Sequence, residues 1–261
     1  MRVFRWRRYA WAIRWSFDKK VAMVMYYEVA KEIFDRMPNA YFGAVAVRGL
    51  DNTKPIAELE EMLQANIAVC EQYFAGKKPK ETPDIVPYRE AFRALDINPN
   101  KFLCSIEALL TRIAKGKGFP HINPIVDLGN AISIKYHLPI GAHDLDTISD
   151  GLEVRLAREG DTFIAFGETE EETPDVGEAI YASGSEVRTR RWTWRQSERG
   201  KITEETKAVL FPIDGFSDVN AEEVHKAMEE FVTLLHRFFG DSIAVETGVV
   251  DREHPRFTFF A

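Results

Sequence analysis

The densest run of side chains able to do chemistry is His121 to Asp146, HINPIVDLGNAISIKYHLPIGAHDLD. Asn123 followed by Pro124 gives a cap and a proline at the first helical position, so the spacing predicts a helix through about His137, ended by Pro139 and Gly141. On that helix Asn130, Ser133 and His137 are spaced +3 and +4 and share one side, while Ile125, Leu128 and Ile132 share another. Neutral amides and hydroxyls beside an apolar stripe suit an amino-acid moiety, since they donate and accept without fixing a charge. Ordinary capping and helix-packing bonds use the same residues equally well, and composition leaves both readings open. Beyond the helix, Gly141 turns the chain ahead of His143, Asp144 and Asp146. Neighbours in an extended segment point to opposite faces, so a direct relay between His143 and Asp144 is not expected. Asp144 and Asp146 would share a face, where carboxylates bind a ribose, an amine or an arginine.

A second run, RTRRWTWRQSERGKIT at 188–203, interleaves Arg190, Arg191, Arg195 and Arg199 with Trp192 and Trp194. Guanidinium and indole together bind phosphate and stack bases, so this is the expected RNA patch. The competing account is an amphipathic strand whose arginines pair with the acidic run Glu168 to Glu172. Several chemistries are set aside: there is no GxxxxGK[ST], no GxGxxG after a strand, no HExxH and no GxSxG. Cys70 and Cys104 form no CxxC, and His225 and His236 alone do not make a metal shell. No cofactor and no metal are expected.

The elements that must carry these residues can be outlined from periodicity. Tyr27 to Met37 shows helical spacing, Ala40 to Val47 reads as a buried strand, and Pro55 to Phe74 reads as an amphipathic helix. GKKPKETPDIVP at 76–87 reads as a surface loop and a seam. Ile106, Leu109, Leu110 and Ile113 mark a helix capped by Ser105. From Gly151 short runs at Leu152 to Leu156, Thr162 to Phe166, Glu178 to Tyr181, Val187 to Trp192 and Ala208 to Ile213 suggest antiparallel strands. A last helix starts at Asn220, with Glu223 three residues on. The expected class is α+β, with a helical first half and a strand-rich second half.

Charge is unevenly placed. Seven basic groups against one acid give residues 1–20 a charge of +6, which leaves −13 for the remainder of a chain of net charge −7. An acidic body argues against broad adhesion to nucleic acid and leaves RNA contact to local patches. Apolar stretches stop near ten residues, short of the roughly 20 that span a bilayer, so no membrane partner and a cytoplasmic location are expected. The expected division is a basic Trp/Arg-rich extension at 1–22, a domain at 23–245 and a tail at 246–261.

SIEALLTRIAKG, FPHINPIVDLGNAISIKYHLPIGAHDLD and RRWTWRQSERGKITEET resemble the free-standing form of the tRNA-editing domain of the phenylalanyl-tRNA synthetase beta subunit, over roughly residues 25–240. In that family's pattern, Asp127, Asn130, Pro139, Asp144 and Thr206 match ordered positions. The resemblance implies a beta-sandwich of unusual topology with flanking helices. It also implies trans-editing hydrolysis of the ester of mischarged aminoacyl-tRNA, with canavanine as one candidate amino acid and tRNA as partner. Gly141 departs from the pattern, standing where the synthetase has a histidine, so a tyrosine-rejecting pocket is not carried over. On this reading His143 and Asp144 are catalytic. Asn123, Asp127, Asn130, Ser133, Gly141, Trp194 and Gln196 bind substrate, and Arg190, Arg191, Arg195 and Arg199 hold RNA. Water would be oriented by backbone groups, the terminal ribose hydroxyl or His143. The alternative is a non-catalytic module binding RNA or an amino-acid-like ligand.

Overall fold

The computed structural model describes residues 24–260, so the extension set apart at 1–22 lies outside the described residues. In chain order β1 (Met25–Val29), α1 (Lys31–Arg36) and β2 (Ala40–Arg48) precede the helices α2 (Ala57–Tyr73), α3 (Val86–Ala94), α4 (Ser105–Ala114) and α5 (Pro124–Tyr136). Strands then dominate: β3 (His143–Asp144), β4 (Gly151–Leu156), β5 (Phe163–Ile164), β6 (Glu171–Glu172), β7 (Ala179–Ser183), β8 (Glu186–Arg190), β9 (Arg195–Gln196) and β10 (Ala208–Phe216). The long helix α6 (Ala221–Phe239) is followed by β11 (Ala244–Val250) and β12 (Arg256–Phe259). The class is α+β, as expected.

One sheet runs β12-β1-β4-β7-β8-β9 and the other β11-β2-β10-β3, neither closing into a barrel, while β5 and β6 form a small ribbon. Only β1 and β4 pair in parallel among these strands. The sheets share a core in which Tyr27 of β1 meets Phe42 of β2 edge-on and stacks on Tyr181 of β7. Helices α5 and α6 cover the outer face of the second sheet, where Val45, Val47 and Phe211 meet Leu128, Ile132 and Phe231. β2 is thus buried on both faces, which is why AYFGAVAV is apolar without alternation.

Four expectations change. Tyr27 to Val29 is strand, with Tyr27 and Val29 inward and Glu28 half-exposed; period-2 burial there overlays the helical spacing of Val29, Ile33 and Phe34, and α1 begins only at Lys31. Helix α3 follows directly on the Pro-rich loop, opened by Pro87 in its first turn and burying Tyr88, Ala91 and Phe92. The segment expected as a tail supplies most of β11 and all of β12, which edge the two sheets. Ser105 is the first helical residue of α4, not its cap.

Helix α6 buries Val224, Ala227, Met228, Phe231, Leu234 and Leu235, and its approach to the sheet requires glycine beneath it. A Cβ at Gly215 would lie 2.5 Å from Val224 Cγ2, and one at Gly43 would lie 2.7 Å from Met228 Sδ. Gly215→Ala should therefore cost about 1–3 kcal/mol through overpacking. A urea titration checks this, and an unchanged midpoint would mean that α6 is free to lift away.

Candidate functional site

The segment from Pro139 to Asp144 is threaded between two parts of the chain. On one side it pairs with β10, Leu210 opposite His143 and Val209 opposite Asp144, while Gly141 N–H donates to Pro212 O at 3.0 Å. On the other, Gln196 Nε2 donates to Ala142 O at 2.8 Å and Asp144 N–H to Gly200 O at 3.2 Å. Gly141, His143, Asp144 and Gln196 are therefore brought together, and Thr206 joins them. Its Oγ1 donates to Asp144 Oδ2 at 2.7 Å, and the Asp146 N–H donates to Asp144 Oδ1 at 2.9 Å. Burial raises the Asp144 carboxyl above its ordinary pKa, with the Thr206 and Asp146 hydrogen bonds pulling the other way. Such a carboxylate, held by two donors and still carrying free lone pairs, has the geometry of a proton acceptor.

His143 corrects an expectation. Its ring is 2 % exposed, stacks on Tyr181 with centroids 5.4 Å apart, and leaves Nδ1 buried without a partner. Burial, aided by the Arg188 charge, lowers its pKa to about 3. A base working near neutral pH needs a pKa near that pH, so this imidazole is a neutral wall of the site. Gly141 leaves space beside it: a Cβ there would sit 3.1 Å from His143 Nε2.

Behind His143 lies a polar network that the sequence reading missed. Tyr181 Oη and Trp192 Nε1 both donate to Asp214 Oδ1 at 2.7 Å, and Tyr27 Oη lies 3.3 Å from Tyr181 Oη. Burial pushes the Asp214 carboxyl up to about 7. The signal was available, since a carboxylate inside the apolar strand LFPIDGF must find partners when buried.

A second cluster surrounds the start of α5. Asn123 caps the helix, accepting from Val126 N–H at 3.1 Å, and its Nδ2 reaches Ile202 O. Asp127 accepts from the Ile122 N–H and lies 3.3 Å from His121 Nδ1. With Asn52 and Glu204 they line a cleft of about 160 Å³. The two clusters meet at the 200–206 loop, where Asn52 Nδ2 donates to Thr203 O and the Thr203 N–H to Thr206 Oγ1. Asn130 is half-buried farther along the helix. Ser133 does not join them: it is 2 % exposed and donates to Leu138 O at 2.6 Å, closing the helix end. Nor does His137, the left-handed C-cap, which packs on Tyr73 and Phe74 and faces Asp84.

The arginine patch is also corrected. Arg190, 6 % exposed, bonds both Glu178 oxygens and Glu172. Arg195 pairs with Glu168 at 2.7 Å, Arg199 with Glu171 at 2.6 Å, and Arg191 with Glu178 at 3.3 Å. The acidic loop and β6 neutralise the stripe, so it presents no net positive surface. Arg191 and Arg195 still flank Trp194, at 5.0 and 5.9 Å from its ring, next to Phe102. Arg191 and Trp192 both have positive φ (53° and 57°), a costly turn that sends Trp192 into the core. It is held by the Trp192 N–H donating to Ala179 O and the Arg191 N–H to Glu178.

Among the described residues no group of three or more His, Cys, Asp or Glu could hold a metal ion, and no helix is long and apolar enough to cross a membrane. In comparisons with known proteins, the model of the B3/4 domain family matches residues 87–240, more than half of the chain. A search of curated proteins returned no match. Among solved structures, the chain is similar to the crystal structure of an N-terminal fragment of the phenylalanyl-tRNA synthetase beta-subunit from Pyrococcus horikoshii. The identity is 16% and the TM-score 0.45, covering 83% of this chain and 49% of that one. The chain thus spans about half the length of that fragment.

Proposed function

Since the chain belongs to the B3/4 domain family, we propose that it hydrolyses the ester of mischarged aminoacyl-tRNA in trans, in the cytoplasm, as a free-standing relative of the synthetase editing domain. The observation that carries this reading is that the family match at 87–240 encloses the whole Gly141, Asp144, Gln196 and Thr206 cluster. An aminoacyl ester is already activated, so a site need only position water and stabilise the developing oxyanion. In this reading Asp144 takes a proton from the attacking water. Gln196 and the backbone about Gly141 bound the reacting carbonyl, and Trp194 offers a face to the terminal base. Asn123 and Asp127 receive the amino acid or the ribose across the 200–206 loop. A cationic side chain such as that of canavanine would find its counter-charge in Asp127 or Asp146.

The test is a panel of labelled mischarged tRNAs, canavanyl-tRNA among them, followed for loss of label. At least one pair should be deacylated well above its spontaneous rate. No acceleration for any pair, together with binding of uncharged tRNA, would instead favour the non-catalytic binding module.

A further inference from the structure

The neutralised arginines leave open how an acidic chain would hold a polyanion. We propose that the phosphate backbone of the RNA docks in the cleft between the Pro79–Glu81 turn and α4; this rests on the reading of tRNA as the substrate. The cleft has a volume of about 710 Å³, and its rim carries Lys77, Lys78, Lys80 and Lys115. Its floor is the buried pair Arg89 and Glu107, 2.7 Å apart, whose charges cancel. Lys78 pairs with Glu81 at 3.2 Å. Among the described residues, Lys77, Lys80 and Lys115 have no carboxylate within ion-pair distance. Lys77 lies over the Tyr73 ring at 4.0 Å, and Lys80 and Lys77 bear at longer range on Glu107 and Asp84.

Three unpaired ammonium groups on one cleft, in a chain of net charge −7, are the local basic patch that phosphates need. Lysine binds phosphate as a point charge and tolerates any sequence. Lys115 caps the C-terminal end of α4 and gains from the helix dipole, but that accounts for neither Lys77 nor Lys80. Helix α4 also links the cleft to the candidate site. Its first residue, Ser105, donates through N–H to Thr193 O in the turn that leads to Gln196. The helix is 10 residues long, hence about 15 Å. That is the rise of about four stacked nucleotides, so RNA lying along α4 would bring its end to the Trp194 face.

The experiment measures binding of uncharged tRNA to the full chain by fluorescence anisotropy, from 50 to 200 mM salt. The variant Lys77→Ala, Lys80→Ala, Lys115→Ala is compared with a control of equal charge change at paired lysines, Lys31→Ala, Lys54→Ala, Lys226→Ala. The cleft variant should bind at least about tenfold more weakly, and its slope of log K against log salt should fall by about 2 to 3, near 0.7–0.9 per lost phosphate contact. All six lysines are exposed, so folding should be unaffected. Binding no weaker than the control's, or no tRNA binding by the wild type, overturns the inference. Deacylation by the same proteins separates the two readings. Hydrolysis with an unchanged KM in the cleft variant would discard the cleft and keep the hydrolase, whereas lysine-dependent binding without hydrolysis would do the reverse.

Discussion

Replacing Asp214 with asparagine should make the protein acid-labile, lowering its thermal midpoint at pH 4.5 relative to pH 7 by roughly 6–12 °C beyond any change in the wild type. The reason lies in two buried groups on either side of Tyr181. The folded pKa of Asp214 is about 7 against about 4 unfolded, so between those values the folded state holds a proton that the unfolded state has lost, and stability falls as pH rises. That of His143 is about 3 against about 6.5 unfolded, so over that range the unfolded state holds the extra proton and stability rises with pH. Each contribution is on the order of 4 kcal/mol and their windows overlap, so in the wild type the slopes cancel from about pH 4 to 6.5. Asp214→Asn keeps an Oδ1 for Tyr181 and Trp192 but cannot titrate, leaving the His143 slope exposed, about 3 kcal/mol over two pH units. His143→Phe keeps a ring against Tyr181 and exposes the opposite slope: stability gained toward acid and lost toward pH 7. The double variant should be flat again. Differential scanning calorimetry from pH 4 to 7.5 reads all four profiles, and an Asp214→Asn profile parallel to the wild type would mean that Asp214 does not hold its proton in the fold.

This pairing was invisible in the sequence for a plain reason. The partners of Asp214 stand 22 and 33 residues away, on Trp192 and Tyr181, and His143 meets Tyr181 only because β3 and β7 lie in different sheets that share a core. What was legible was local: the Asn123 and Pro124 start of α5, the apolar run of β2, and the stripe of α6 each carry their signal within one element. The meeting of Asp144 and Thr206 was readable only through resemblance, since 62 residues separate them. The arginine stripe shows the converse failure. Its composition suggested RNA, but pairing of β5 with β6 carries Glu171 and Glu172 beside it, a charge balance that residue type alone does not reveal. The 76–87 loop, read as surface and seam, holds two of the three unpaired lysines, Lys77 and Lys80, while Lys115 stands at the end of α4.

Those geometries also fix what catalysis by Asp144 would look like. If it is the proton acceptor for water, Asp144→Asn should lower kcat by about 10²–10⁴ while barely changing stability, because asparagine keeps an acceptor for the Asp146 N–H and a polar partner for Thr206. A carboxylate that only held this turn would lose little in the same variant. Thr206 offers a finer test. Its hydroxyl lowers the Asp144 pKa against the burial that raises it, so Thr206→Val should move the acidic limb of kcat/KM to higher pH while leaving the plateau rate near the wild type's. Thr206→Ser, which restores the hydroxyl, should move it back. No second limb near pH 6.5 is expected, because His143 stays neutral throughout that range. A limb that shifts with His143 replacement and not with Thr206→Val would transfer the role from the carboxylate to the imidazole, and would require that ring to reach water that its burial now excludes.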